Sequence, residues 1–346
     1  MINKKTYLAI LLMLFIFNKP GNSMEFMEDI NARPMSMGSA YTALAEGVAG
    51  VYANPAGQVW SVRNPELSTS YAKNFEEVTQ YHLATGLKLS DKWLINGNLA
   101  FNFAGSLISD IPLTSFNSEG RPEVTDYFDS SKQNTTVTYA NKLTNNLSYG
   151  INFKNYNYRI LHTHAAGKGT DVGLLYRNSI WKDHAINLGV CAKNIGNTKI
   201  FWDTGYQDEI RESMVYGLAV QTKLWVFPLT ISADLEKVSL ERDIARSGLE
   251  FWFLPQAFCI RAGNDDGQAT VGTGFYYDGF HLDYAQVDNE DLGFKRQVSM
   301  GWEFASAADE YIPEEMLSEK LIIESTENII IQGPPEPSEL KIALKK

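Results

Sequence analysis

From position 66 to position 304 the chain is built of about fourteen short segments in which apolar and polar residues alternate. The stretches 214–222, 229–236, 258–263 and 298–304 are the clearest. Successive side chains of a strand point to opposite faces, so such a segment needs an apolar neighbour on one side only. When every strand is of this kind and the chain is exported, a sheet closed on itself in a membrane satisfies them all, with lipid outside and water or a plug inside. The expected fold is therefore all-β: a transmembrane antiparallel barrel of about fourteen strands.

Export is read from the N-terminus. Asn3-Lys4-Lys5 is a basic start, 6–17 is an apolar run, and 18–23 is polar with small residues at Gly21 and Ser23. A dozen apolar residues are too few to span a bilayer as a helix, so 1–23 reads as a signal peptide, with an N-terminal anchor helix as the alternative. The formal charge of −11 becomes −14 when Lys4, Lys5 and Lys19 leave with it. That balance argues against nucleic acid as a partner. A mean hydropathy of −0.22 is compatible with a barrel, whose polar lumen offsets its lipid face, and aromatics at 12% suit interfacial girdles. Cys191 and Cys259 are too few for a disulfide framework; strand parity turns both inward, on strands four apart, which predicts free thiols.

The spacing predicts strands at 66–73, 79–89, 92–104, 135–142, 147–159, 169–178, 184–194, 213–223, 228–238, 245–253, 257–264, 268–277, 279–287 and 296–304. Connectors after even-numbered strands are short: 90–91, 143–146, 179–183, 224–227, 254–256 and 278. Those after odd-numbered strands are mostly longer: 105–134, 160–168, 195–212, 239–244 and 288–295. Outer-membrane barrels sort their connections this way, with short periplasmic turns and longer external loops, whereas a soluble sandwich has no reason to. The same parity places both termini in the periplasm.

Alternation assigns Ile186, Leu188, Val190, Leu229, Ile231, Ala233, Leu235, Leu249, Phe251, Phe253, Val298, Met300, Trp302 and Phe304 to the lipid face. The lumen face receives Asn96, Asn98, Asn102, Lys193, Asp234, Glu236, Glu250, Arg261, Asp283 and Glu303. Inward charges of both signs require a wet or plugged lumen in which they pair. For each of them an ionic scaffold and a substrate contact are the competing roles.

The segment 24–65 is the most distinctive. It contains Ala32-Arg33-Pro34-Met35-Ser36-Met37-Gly38-Ser39-Ala40, and further on Asn54-Pro55-Ala56-Gly57. Small residues over 39–47 predict a short helix able to pack tightly, and Asn54-Pro55 is a turn signal with Gly57 allowing close backbone approach. By itself Asn54-Pro55-Ala56-Gly57 reads equally as the turn into the first strand. The stretch resembles the start of the PorV/PorQ group of outer-membrane proteins, which is similar to the FadL family of hydrophobic-compound transporters. The resemblance covers about thirty residues. It implies a fourteen-stranded barrel with this segment folded inward as a hatch, and Arg33, Met37, Gly38, Asn54, Pro55, Ala56 and Gly57 as hatch residues.

The last strand closes on Trp302-Glu303-Phe304, as barrel proteins of this class often do, yet some forty residues follow. Positions 305–346 form an acidic tail, read as periplasmic, in which 321–323 and 329–331 could pair as a hairpin.

Enzyme signatures are missing. Ala166-Gly167-Lys168-Gly169-Thr170 has His162 where a phosphate loop needs its first Gly. Gly272-x-Gly274 lacks a third Gly, His162-x-His164 lacks a third ligand, and Gly263-Asn264-Asp265-Asp266-Gly267 reads as a hairpin turn. The expectation is a non-enzymatic outer-membrane barrel without cofactor or metal, in contact with outer-membrane lipid. The resemblance to PorV and PorQ implies type IX protein secretion or surface attachment, with secreted cargo or secretion components as partners. The FadL side implies passage of a hydrophobic small molecule. A soluble exported β-sandwich or adhesin is the third reading. Long external loops would suit cargo binding; an apolar external groove would suit uptake.

Overall fold

The computed structural model describes residues 30–61, 65–74, 78–89, 96–181, 184–254, 257–289 and 293–304. The predicted signal peptide and acidic tail, including its hairpin, lie outside the described residues.

Among these residues one short α-helix, α1 (Ala32–Ser36), and two 3-10 turns precede sixteen strands. These are β1 (Glu66–Asn74), β2 (Val78–Leu89), β3 (Gly97–Phe116), β4 (Pro122–Lys142), β5 (Leu147–Ile160), β6 (Thr163–Trp181), β7 (His184–Lys193) and β8 (Thr198–Trp202). They continue as β9 (Gln207–Ile210), β10 (Ser213–Leu224), β11 (Phe227–Val238), β12 (Ile244–Leu254), β13 (Phe258–Asp265), β14 (Gln268–Tyr277), β15 (Phe280–Asn289) and β16 (Gly293–Glu303). Each strand from β1 to β7 and from β10 to β16 pairs antiparallel with its neighbour; β7 joins β10 and β1 closes on β16. The result is a closed fourteen-stranded barrel without an open edge. Its fourteen strands coincide with the fourteen predicted.

The two remaining strands correct the expected loops. Positions 195–212 fold into the β8–β9 hairpin, whose β8 takes the edge of β6 from Ala165 to Gly167. Positions 105–134 are mainly strand, because β3 and β4 run on as a hairpin to the turn at 117–121. Likewise β5 and β6 meet across a turn at Leu161-His162, where 160–168 was expected to be loop. Alternation in these stretches is interrupted by polar residues and bulges, which hid the strands.

Register follows the predicted faces. Leu188, Leu235, Phe253, Val298, Met300 and Trp302 are exposed outward, while Asn98, Asn102, Lys193, Asp234, Glu236, Glu250, Arg261 and Asp283 are buried inside. Glu303 shares the inward parity, is half-buried, and stands opposite Glu66. Asn96 departs from expectation: it precedes β3 and is exposed, its carbonyl accepting from the Tyr139 hydroxyl at 2.6 Å. Cys191 and Cys259 are buried free thiols.

Candidate functional site: the lumen and the segment that fills it

The inner segment, residues 31–60, is short of regular structure. Asn31 caps α1 by accepting from Arg33 N, and the helix stops because Gly38 and Ser39 both adopt positive φ, +59° and +56°. The helix expected over 39–47 is therefore absent; that stretch is a series of turns, and the helix lies before it at 32–36. A Cβ at Gly38 would lie 2.5 Å from Asn264 N and Ser247 O. Only glycine fits both that conformation and that contact. The second half ends in a 3-10 turn, Pro55–Trp60, capped by Asn54, whose side chain accepts from Ala56 N at 3.0 Å.

Asn54 is wholly buried and works as a clamp. Its Nδ2 donates to Thr42 O at 3.1 Å within the segment and to Leu174 O at 3.0 Å on β6. Pro55, Ala56 and Gly57 are buried beside it, and a Cβ on Gly57 would strike Ala45 at 2.4 Å. So Asn54–Gly57 packs into the lumen, well inside the barrel's first strand.

The wall receives this segment at glycines that the sequence reading did not single out. Gly150 faces Gly173 across β5–β6, Gly189 faces Gly217 across β7–β10, and Gly248 faces Gly263 across β12–β13. A Cβ on any of the six would fall within 3.0 Å of the inner segment: Asn54 or Pro55 at the first pair, Thr42 or Ala43 at the second, Met37 or Gly38 at the third. Three facing pairs thus form sockets for three points of one chain. The readable signal was glycine at inward positions of otherwise regular strands.

Polar contacts complete the fit. Arg33 donates to Glu250 through Nε and Nη2, both at 3.2 Å. Arg261 Nε donates to the same carboxylate at 2.6 Å, and its Nη1 to Asp283 at 2.6 Å. Trp252 Nε1 donates to Glu250 at 3.2 Å and Tyr276 OH accepts from Arg261 at 3.2 Å. The predicted residues Arg33, Glu250, Arg261 and Asp283 therefore form one buried network. A second joins Glu236 to Arg246 at 2.5 Å, Arg246 to Asp265 at 2.8 Å, and Asp265 to Ser39 at 3.0 Å. Asp234 accepts from Thr42 N at 2.9 Å. Desolvated charges persist only when paired with this geometry. Burial pushes the Tyr41 phenol up to about 12, opposed by the neighbouring Arg33, so it stays neutral.

Across the other side most partners are neutral, apart from Glu66, whose carboxylate accepts from Val48 N at 3.1 Å, and Lys142 and Arg177, whose cations lie over the Trp60 ring. Asn152 donates to Val51 O, Asn98 to Gln58 O, Ser148 to Ala56 O, and Trp60 Nε1 to Ser148. All fourteen barrel strands touch the segment. Among the described residues, a cavity of about 30 Å³ between Asn31, Pro34, Tyr52, Lys193, Asp234 and Arg246 has room for only a water or two. On the outward face, Tyr216, Leu218 and Leu235 wall a depression of about 320 Å³ floored by Ala233, Ala245 and Ser247.

The class defined by these features is a fourteen-stranded antiparallel barrel with its lumen occupied by its own N-terminal segment. Its fold is that of the P. putida toluene transporter TodX, with which it superposes at a TM-score of 0.52 and 12% identity, over 81% of this chain and 100% of that one. The Ralstonia pickettii toluene transporter TbuX and a Pseudomonas aeruginosa FadL homologue align at a TM-score of 0.47 each, with 12% and 10% identity, covering 81% and 79% of this chain and 99% and 98% of theirs. No protein-family model matches the chain, and no curated protein matches it by sequence.

Proposed function

We propose that this chain is a non-enzymatic outer-membrane barrel that passes hydrophobic small molecules, its short turns and both chain ends toward the periplasm. The observation that carries the reading is the filled lumen. A segment that touches every barrel strand fills much of the lumen among the described residues, so the barrel is ill suited to bulk diffusion of polar solutes and suited to a cargo that partitions into apolar surfaces. Segment 24–65 then acts as a hatch, with Asn54, Pro55, Ala56 and Gly57 as its clamp and Arg33, Met37 and Gly38 as its seat.

Two further points support the reading. The depression beside Ala233 and Ser247, where Tyr216, Leu218 and Leu235 lie next to Asp234 and Arg246, offers such a cargo apolar surface, and the barrel's fold is that of a protein named a toluene transporter. The inward charges Asp234, Glu236, Glu250, Arg261 and Asp283 hold the hatch in place on this account, leaving cargo contact to apolar surfaces. Nothing in the comparisons supports type IX secretion or its components as partners, so that role is not proposed.

The test is uptake of a labelled monoaromatic hydrocarbon into proteoliposomes. The intact protein should raise the rate above that of empty liposomes, and Asn54→Ala/Pro55→Ala should change it while leaving the heat-modifiable gel shift of a folded barrel. A rate equal to that of empty liposomes contradicts the transport role; a double variant that does not assemble makes the segment a structural plug.

A further inference from the structure

The β3–β4 hairpin outgrows the barrel. Ladder contacts with β2 stop at Ile108 and those with β5 at Ser130, so from there to Phe116 and Pro122 two strands stand alone among the described residues. Eight residues at 3.3 Å each give a projection of about 25 Å. A lone two-stranded ribbon is marginal in water unless one face is covered. Here the face formed by the pairs Phe116↔Pro122, Thr114↔Val124 and Pro112↔Tyr127 carries nothing charged. Its large side chains lie open, Phe116 at 78%, Tyr127 at 61% and Val124 at 47% exposed. A contiguous apolar face of this kind on the water side of a barrel marks an interface.

Contact through the edges is disfavoured. Pro112 and Pro122 withhold backbone donors, and register shifts at 108/111 and 113/114 twist the ribbon. The charge pattern selects the occupant. From 109 to 131 the chain holds Asp110, Glu119, Glu123, Asp126 and Asp129 against one cation, Arg121. Glu123 and Asp126, opposite Ser115 and Leu113, stand on the reverse face, which leaves Asp129 at the base and Glu119 at the tip to border the apolar one. Anionic lipid headgroups and a second copy of the same hairpin would both meet like charge. We propose that this ribbon is a docking surface for a partner protein that offers an apolar patch rimmed by Lys and Arg. The inference is independent of hydrocarbon passage, since the ribbon lies outside the barrel ladder.

A photoreactive phenylalanine analogue at Phe116 or Tyr127 of the full chain, in its own cells, tests this, with Val298 as the lipid-facing control. The expected result is a protein adduct from the hairpin sites alone, whose cross-linked peptide combines apolar residues with Lys or Arg. Glu119→Lys/Asp129→Lys should lower its yield at least tenfold in a barrel with an unchanged gel shift. If that variant does not fold, the unmodified charges are read by salt instead, and yield should fall several-fold between about 0.05 and 0.5 M. Adducts with lipid only, adducts with this chain only, no adduct from a folded barrel, or a yield insensitive to charge reversal and salt each overturn the proposal.

Discussion

The inner segment's first half, through Ala45, rests mainly on β7 and β10–β16, with Asn31 also donating to Ser68 on β1 and Arg177 of β6 donating to Ala45 O, and its second half, from Val48 on, rests on β1–β6. The first contact is ionic: Arg33, Arg246 and Arg261 gather Glu236, Glu250, Asp265 and Asp283. The second is mostly amide and hydroxyl: Asn54, Gln58, Asn98, Ser148 and Asn152. Ion networks tolerate little displacement, because every lost partner leaves a charge stranded in low dielectric. Neutral hydrogen bonds exchange for water at a cost of about 1 kcal/mol each. The difference teaches where the proposed hatch would yield first: its ionic half is the firmer seat, and the half carrying Asn54-Pro55 is held by bonds that cost less to break.

The comparison breaks hardest at Arg261. Arg261→Met removes the arginine partner of Asp283 and leaves Glu250 with Arg33 as its remaining cation, and should cost about 3–5 kcal/mol, read as a lower temperature of the gel-shift transition or failure to assemble. Next comes the middle socket. Gly217→Val would press a side chain into Thr42 and Ala43 and should cost about 1–3 kcal/mol, with new protease cleavage within 31–45. On the neutral side, Asn54→Ala removes a cap and two donor bonds and should cost about 1–2 kcal/mol, with cleavage confined to 46–60. Smallest is Asn98→Ala, about 1 kcal/mol, with the seat half unaffected. Equal losses from Arg261→Met and Asn98→Ala would erase the distinction between the halves.

Much of this was legible in the sequence. Period-two alternation located all fourteen barrel strands, since one greasy face per strand is what lipid demands of Leu188, Phe253 or Met300. Inward parity also identified Glu250, Arg261 and Asp283, although which of them meet depends on register and could not be read from one strand at a time. The inner segment was less readable. Ala-rich composition suggested a helix over 39–47, but Gly38 and Ser39 adopt positive φ, and Gly38 sits against the backbone of Ser247 and Asn264, more than two hundred positions away. The glycine sockets and the β3–β4 projection were invisible for related reasons: a glycine's role is set by what approaches it, and a water-exposed ribbon has no lipid to enforce alternation.

The central claim is that outward side chains meet acyl chains while inward ones meet the barrel's own N-terminal segment. Spin labels placed in turn at Gln297, Val298, Ser299, Met300 and Trp302 of the reconstituted protein test it most directly. The account predicts high oxygen accessibility at 298, 300 and 302 and immobilised labels shielded from both oxygen and aqueous relaxant at 297 and 299; water-soluble relaxant reaching the even positions would contradict it.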